Sequence, residues 1–139
     1  MSGTVPHQAS CVAIGGRAVL IEGASGAGKS SLALVLIDRG AVLVGDDGVL
    51  LEPRGAELWA LPPPSIAGLI EVRNVGLVTL PASSARVSLV LRLDPGAPRF
   101  VEQAEQVVLA GVALPLIRLW PDSPVLALRA EQALAQHGR

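Results

Sequence analysis

The stretch Gly23-Ala24-Ser25-Gly26-Ala27-Gly28-Lys29-Ser30 lies between an apolar run at Ala18 to Ile21 and a second, longer one at Ser31 to Arg39. Glycine, four residues of any kind, then Gly-Lys-Ser is the pattern of a phosphate-binding loop, which requires a strand before it and a helix after it. Both flanks are of the required kind. The glycines let the backbone curl so that several N–H groups converge on a polyphosphate, and the following helix adds partial positive charge at its N-terminus. Lys29 then neutralises the terminal phosphates, and the Ser30 hydroxyl is a ligand for Mg2+, a hard cation that favours oxygen donors. Of the eleven Lys and Arg residues Lys29 is the single lysine. Arginine supplies the surface charge elsewhere, whereas a compact ammonium fits between phosphates.

With 139 residues, the chain reads as one domain over its full length, large enough for a core of its own. Half the residues are hydrophobic and 17% are charged, which excludes a disordered chain. Aromatic residues are confined to Trp59, Phe100 and Trp120, so the core is expected from Ala, Val, Leu and Ile, and no base-stacking platform for nucleic acid exists. A net charge of -1 provides no field toward nucleic acid or an anionic membrane. The lone Cys11 reads as a buried structural thiol. Met1 to Ser10 lacks a secretory leader and Val107 to Ile117 is too short to span a bilayer, so the expected compartment is the cytoplasm.

Upstream of the loop, Ser10 to Ile14 and Arg17 to Glu22 flank Gly15-Gly16 and predict a hairpin, so the strand entering the loop has an antiparallel neighbour. Downstream, the helix is apolar on most faces, which predicts that it is largely buried, with Gly40 as its C-terminal cap. Ala41 to Gly45 is short and continuously apolar, as expected of a central strand covered on both faces. A second hairpin is expected from Gly48 to Leu51 and Glu57 to Leu61 across Pro53-Arg54-Gly55, followed by a proline loop from Pro62. Ile66 to Val75 is mixed in character. Gly76 to Leu80, Arg86 to Leu93, Val107 to Leu109 and Val112 to Leu119 predict strands, with a turn at Asp94 to Pro98. A helix is expected over Pro124 to Gln136, with Ser123 as N-cap.

Asp46-Asp47 ends the strand that follows the loop and helix, which places two carboxylates at the edge of the sheet where such folds bind ligands. One can hold Mg2+ and the other can take the proton from an attacking hydroxyl. The pattern alone does not assign the two roles. By pattern, His7 is an ordinary histidine of an N-terminal tail, although imidazole has the chemistry to tune a nearby aspartate. Glu71, Arg73 and Arg99 fall in or beside loops, where binding residues concentrate.

The string at 23 to 30, the helix Leu32-Ala33-Leu34-Val35-Leu36-Ile37-Asp38-Arg39-Gly40 and Leu43-Val44-Gly45-Asp46-Asp47 together resemble the catalytic C-terminal domain of HPr kinase/phosphorylase. In that family the helix ends in Leu-Ile-x-Arg-Gly and the next strand in Val-Ala-Asp-Asp. Glu71-Val72-Arg73-Asn74-Val75-Gly76-Leu77-Val78 is similar to its second signature, Glu-Ile-Arg-Gly-x-Gly-Ile.

This resemblance implies an α/β fold with a mixed sheet, of the HPr kinase and phosphoenolpyruvate carboxykinase type. It further implies a bacterial enzyme that uses ATP and Mg2+ to phosphorylate a serine of HPr, the phosphocarrier of the sugar or nitrogen phosphotransferase system. The family also runs the reverse step, with inorganic phosphate consumed and pyrophosphate released. On its pattern Gly23 to Ser30 bind ATP, Asp47 is the base with Asp46 beside it, and His7 is its helper. Ser30 and Glu71 hold the metal, and Arg99 matches a later catalytic arginine. The resemblance implies the short form lacking the usual N-terminal domain, as in alphaproteobacteria, and a homohexamer. Two departures stand out. His7 is one residue farther from the loop than the family's histidine, and Trp120-Pro121-Asp122-Ser123-Pro124 occupies the place of a basic loop tied to the reverse reaction, which that substitution weakens. Two rival readings share the loop: a kinase of a small metabolite, and an ATP-sensing regulator that does not turn over.

Overall fold

The apolar segments on either side of Gly15-Gly16 form an antiparallel hairpin, β2 (Ser10–Ile14) and β3 (Arg17–Gly23), in a computed structural model that describes residues 3–139. β3 runs into the glycine loop and the loop into α1 (Lys29–Asp38). The chain continues through β4 (Val42–Gly45), β5 (Val49–Arg54), β6 (Glu57–Leu61), β7 (Leu69–Val72), β8 (Gly76–Thr79), β9 (Ala85–Leu93), β10 (Glu105–Leu109) and β11 (Val112–Leu119) to α2 (Leu126–His137). A three-residue strand, β1 (Val5–His7), precedes them and pairs with β5. β7 and β8 form a separate hairpin, and the remaining strands make one mixed sheet in the order β1-β5-β6-β9-β3-β2-β4, with β10 paired to β11 and β11 to β9.

The centre of this sheet is β9. It runs parallel to β3 from Arg86 to Leu93, pairs antiparallel with β6 at Ala85 and Arg86, and runs parallel to β11 from Val90 to Leu93. Side chains alternate across a strand. Val19, Ile21, Leu89 and Leu91 therefore meet α1 and α2 on one face. Ala18, Leu20, Val87 and Val90 meet Leu51, Leu58, Leu114 and Leu116 on the other, because the sheet curls over to cover its own second face. A register shift opposite Ala18 and Val19 moves the alternation of β9 by one residue after Val87. A fully buried aliphatic side chain is worth roughly 1.5–3 kcal/mol, so this double-faced core, rather than its charged rim, fixes the root of the glycine loop.

Two expectations are corrected here. β4 is a terminal strand of the sheet, not a central one: it pairs with β2 on one side and only Leu43 forms a single bridge, to Ala82, on the other. Its apolar run arises because Leu43 packs toward the helices and Val44 toward the opposite core, so both faces are covered although one edge lacks a strand. α1 is buried through Leu32, Ala33 and Leu36, but Val35 is 47% exposed, so the helix packs on one side only.

Smaller shifts have local causes. The second hairpin turns on Gly55-Ala56, leaving Pro53 and Arg54 within β5. α2 begins at Leu126, with Ser123-Pro124-Val125 forming a turn in which the Ser123 hydroxyl accepts from the Val125 N–H at 3.2 Å. At the C-terminus of α1 the Gly40 and Ala41 N–H groups donate back to the Ile37 and Leu36 carbonyls at 3.0 Å each, a glycine-closed end that turns the chain into β4.

Candidate active site

Three elements converge where β3 and β4 end. The glycine loop wraps the N-terminus of α1, whose N-cap is Gly28 at φ 100°, a conformation that suits glycine. No side chain caps this end and no acidic residue lies in its first turn. The first N–H groups of the helix have no partner within it and point into the cleft. The Lys29 ammonium folds back and donates to the carbonyls of Gly23 at 2.8 Å and Ala24 at 3.1 Å, which closes the loop on itself.

Across the cleft, β4 delivers Asp46 and Asp47 through a tight turn. A Cβ on Gly45 would collide with the Gly48 carbonyl oxygen and lie 2.7 Å from Val49 Cγ1, so only glycine permits this approach. The two aspartates diverge. The Asp46 carboxylate accepts from Ser30 Oγ at 2.5 Å, from Ser10 Oγ at 3.2 Å and from the Glu71 N–H at 3.1 Å. Asp46 is thus a junction between α1, β2 and β7. Asp47 is exposed, with a left-handed backbone at φ 59°, and its N–H donates to Ser10 Oγ at 3.3 Å. Among the described residues nothing donates to its carboxylate.

These groups line one cavity of 440 Å3, bounded by Ser25, Gly26, Gly28, Lys29, Ser30, Ser31, Leu34, Asp46, Asp47, Glu71 and Arg73. Its charged groups are three carboxylates against Lys29 and Arg73. A polyphosphate entering such a cleft needs additional positive charge, and the donors on hand are hydroxyl and carboxylate oxygens, the set that suits Mg2+. No three His, Cys, Asp or Glu side chains converge as a complete ligand set among the described residues. No helix among the described residues is long and apolar enough to cross a membrane.

His7 and Arg99 lie elsewhere. The Nε2 atom of His7 is 2.7 Å from Glu22 Oε2, and Glu22 also accepts from Arg92 at 2.8 Å. His7, Glu22 and Arg92 line a neighbouring open depression that touches the loop at Gly23 and Ala24. Arg99 lines a third, beside Phe100, Arg118 and Arg129 of the late chain.

Burial raises the Glu22 pKa, but the hydrogen bonds and charges of His7 and Arg92 outweigh it and hold the carboxyl below its ordinary 4.5. A depressed carboxylate contributes stability that is complete above the unfolded-state value and is lost as pH falls through the folded one. Thermal midpoints should therefore drop as the pH is lowered below the ordinary glutamate value of 4.5, with a shallower acid limb in Glu22→Gln. Superimposable acid limbs in the two proteins would rule this linkage out.

Two positioning residues were not singled out in the sequence. Ser10, fully buried, ties both aspartates to β2, and Glu22 ties β1 to β3 and β9. A serine at a strand start and an acid one residue before the glycine loop are each common, and only the pairing reveals their work.

A sequence profile described as the HPr Serine kinase C-terminal domain matches residues 1–86. The HPr kinase/phosphorylase of Streptococcus pneumoniae strain Hungary19A-6 is 35% identical over 118 residues, covering 75% of this chain and 38% of that protein. The same protein from strain ATCC BAA-255 / R6 gives the same identity and the same coverage. The chain thus spans 38% of the length of these curated relatives. Among solved structures, the Hpr(Ser) kinase/phosphatase from Coxiella burnetii matches with a TM-score of 0.82 at 27% identity, covering 94% of each chain.

Proposed function

Because the chain belongs to the family of the HPr Serine kinase C-terminal domain, we propose that it is an ATP-dependent protein-serine kinase acting on an HPr-like phosphocarrier of the sugar or nitrogen phosphotransferase system. One observation carries the reading: an uncapped helix N-terminus and a free, exposed Asp47 face each other across a single cleft. Phosphoryl transfer demands positioning and charge more than covalent chemistry from the protein. The loop from Gly23 to Ser30 holds the phosphates by its amides, and Lys29 exchanges its carbonyl partners for phosphate oxygens. Asp47, with no donor on its carboxylate, accepts the proton from the acceptor serine.

Ser30 and Glu71 would hold Mg2+, which when bound neutralises charge on the phosphates, with Asp46 accepting from the Ser30 hydroxyl behind them. Ser10 and the Glu71 N–H fix the Asp46 carboxylate. Help from His7 to Asp47 requires its ring to exchange Glu22 for Asp47, and any role of Arg99 requires its segment to reach the cleft from the depression beside α2. In the reverse direction Asp47, once protonated, returns the proton to the departing serine oxygen as inorganic phosphate takes the phosphoryl group. The protein is proposed to work in the cytoplasm as a homo-oligomer, a hexamer on the family resemblance.

The test is incubation with labelled ATP, Mg2+ and purified HPr. Phosphate is expected on a serine of HPr, and inorganic phosphate added to the labelled product is expected to yield pyrophosphate only weakly, because Asp122 stands in place of the family's basic loop. Tight ATP binding with no transfer to HPr would overturn the kinase reading in favour of a nucleotide sensor.

A further inference from the structure

The ladder between β2 and β4 carries one irregularity, and it lies at the cleft. Val12 stands opposite Leu43 and Ala13 opposite Val42, but Cys11 stands opposite Gly45, so Val44 is an extra residue on β4. An even ladder would have set Ser10 against Gly45. The bulge shifts the register by one residue and brings Ser10 to Asp46. Bulges beside active sites re-aim side chains in this way. Ser10 is fully buried, and a buried hydroxyl is costly unless its hydrogen bonds are made. Its Oγ donates to Asp46 Oδ1 at 3.2 Å and accepts from the Asp47 N–H at 3.3 Å, so one hydroxyl grips both aspartates of the turn.

The two grips differ in what they control. The Asp46 carboxylate would keep its bonds from Ser30 and the Glu71 N–H if the Ser10 hydroxyl were lost. For the Asp47 N–H, Ser10 Oγ is the one acceptor among the described residues. Asp47 sits at φ 59°, a left-handed backbone that a residue other than glycine keeps only where the surrounding structure over-determines it. We propose that Ser10 is the positioning residue of the base: its hydroxyl holds the Asp47 backbone in this turn, and the turn fixes where the carboxylate meets the acceptor hydroxyl. The proposal rests on the kinase reading, in which Asp47 takes the proton, and adds what sets Asp47 before the acceptor arrives. Ser10 does not line the cavity, so it acts only through its neighbours. Its loss therefore falls on the chemical step, while the phosphate side of the cleft, from the glycine loop through Ser30 to Asp46, stays in place.

The experiment compares Ser10→Ala, Ser10→Thr and Ser10→Val in the full chain, with purified HPr, ATP and Mg2+. Thr and Val share a shape and differ in the hydroxyl, so the pair separates hydrogen bonding from packing at a tight site. In Ser10→Ala and Ser10→Val, kcat is expected to fall at least about 3-fold, the equilibrium shift of one lost hydrogen bond. The fall reaches about 100-fold where the carboxylate is displaced by ~1 Å. KM for ATP and for HPr should stay nearly unchanged, and Ser10→Thr should recover most of kcat. Hydrogen exchange of the Asp47 amide, followed by NMR without nucleotide, reads the grip directly: it should quicken in Ser10→Ala and Ser10→Val but not in Ser10→Thr. Adding Ser10→Ala to Asp47→Asn should cost no further rate, because residues that act as a unit are not additive. An unchanged kcat in Ser10→Ala would overturn the proposal and leave the kinase reading intact. Equal losses in Ser10→Thr and Ser10→Val, or a Ser10→Ala loss that multiplies fully with that of Asp47→Asn, would do the same. If the unsubstituted protein bound ATP but transferred nothing to HPr, the kinase reading itself would fall, and the role of Ser10 with it.

Discussion

Asparagine in place of Asp47 is expected to leave ATP affinity nearly unchanged and to slow transfer to HPr about 100- to 10,000-fold, the range over which a positioned acid–base group contributes. The choice between the adjacent aspartates follows from their partners. Asp46 already accepts from Ser30, Ser10 and the Glu71 N–H, so its oxygens are committed to holding the cleft together. Asp47 is exposed to the cavity and is free to take a proton. Its left-handed backbone, φ 59°, is tolerated by aspartate and asparagine better than by most residues. The substitution thus changes the carboxylate while sparing the turn. Asp46→Asn, by contrast, should disturb Ser30 and the hairpin together, lowering thermal stability and metal-dependent nucleotide affinity. A competent Asp47→Asn enzyme beside an inactive but folded Asp46→Asn enzyme would transfer the role of base to Asp46.

Loss of the Lys29 ammonium is the second large effect. Lys29→Ala is expected to weaken ATP binding by a factor of roughly 10 to 100, on about 1.5–3 kcal/mol for hydrogen bonds to a charged group, and to abolish detectable transfer. Lys29→Arg should not rescue it, since the planar fork cannot occupy the space of a compact ammonium between phosphates. Calorimetric titration with ATP and Mg2+ reads the affinity. A thermal shift assay gives a second view, because a ligand that binds only the folded state raises its midpoint, and that rise should vanish in Lys29→Ala. The ammonium also joins Gly23 to Ala24 through their carbonyls, so a modest fall in the midpoint without ATP is expected as well. A full ATP-induced shift in Lys29→Ala would mean that the phosphates are held elsewhere.

Much of this architecture is legible in the sequence because its signals are local. The strand, glycine loop and helix, the first hairpin at Gly15-Gly16 and the long apolar strand at Arg86 to Leu93 are written in contiguous residues, and all three form where expected. What could not be read depends on distant neighbours. The continuous apolar run of β4 reports that both its faces are covered, which says nothing about how many strands flank it. β7 is hidden because Glu71 lines the cleft while Ile70 faces the core and Arg73 follows at once in the turn, a mixture that resembles a loop in one dimension.

The cleft shows the same division. Ser25, Gly26, Gly28, Lys29, Ser30, Asp46, Asp47 and Glu71, read from local motifs, line one cavity, and Gly23 and Ala24 line the neighbouring depression. Ser10 and the Glu22 network gain their meaning only from partners brought together by folding. The reverse holds for His7 and Arg99, which only the family resemblance assigns to the cleft, while their side chains are engaged in, or line, other depressions.

The central position of β9 bears on how the protein becomes competent during folding. β3 ends in the glycine loop, yet its second hydrogen-bonded neighbour arrives only with β9, in a parallel pairing that joins residues as far apart as Arg17 and Arg86. Closing such a large loop costs chain entropy before any contact repays it, and chains dominated by distant pairings fold on the millisecond-to-second scale. Until β9 inserts, Ile21 lacks Leu91 beside it and the loop has no rigid root. Nucleotide capture is therefore expected only once the sheet is complete, and ATP present during refolding should trap the finished chain rather than hasten its early collapse.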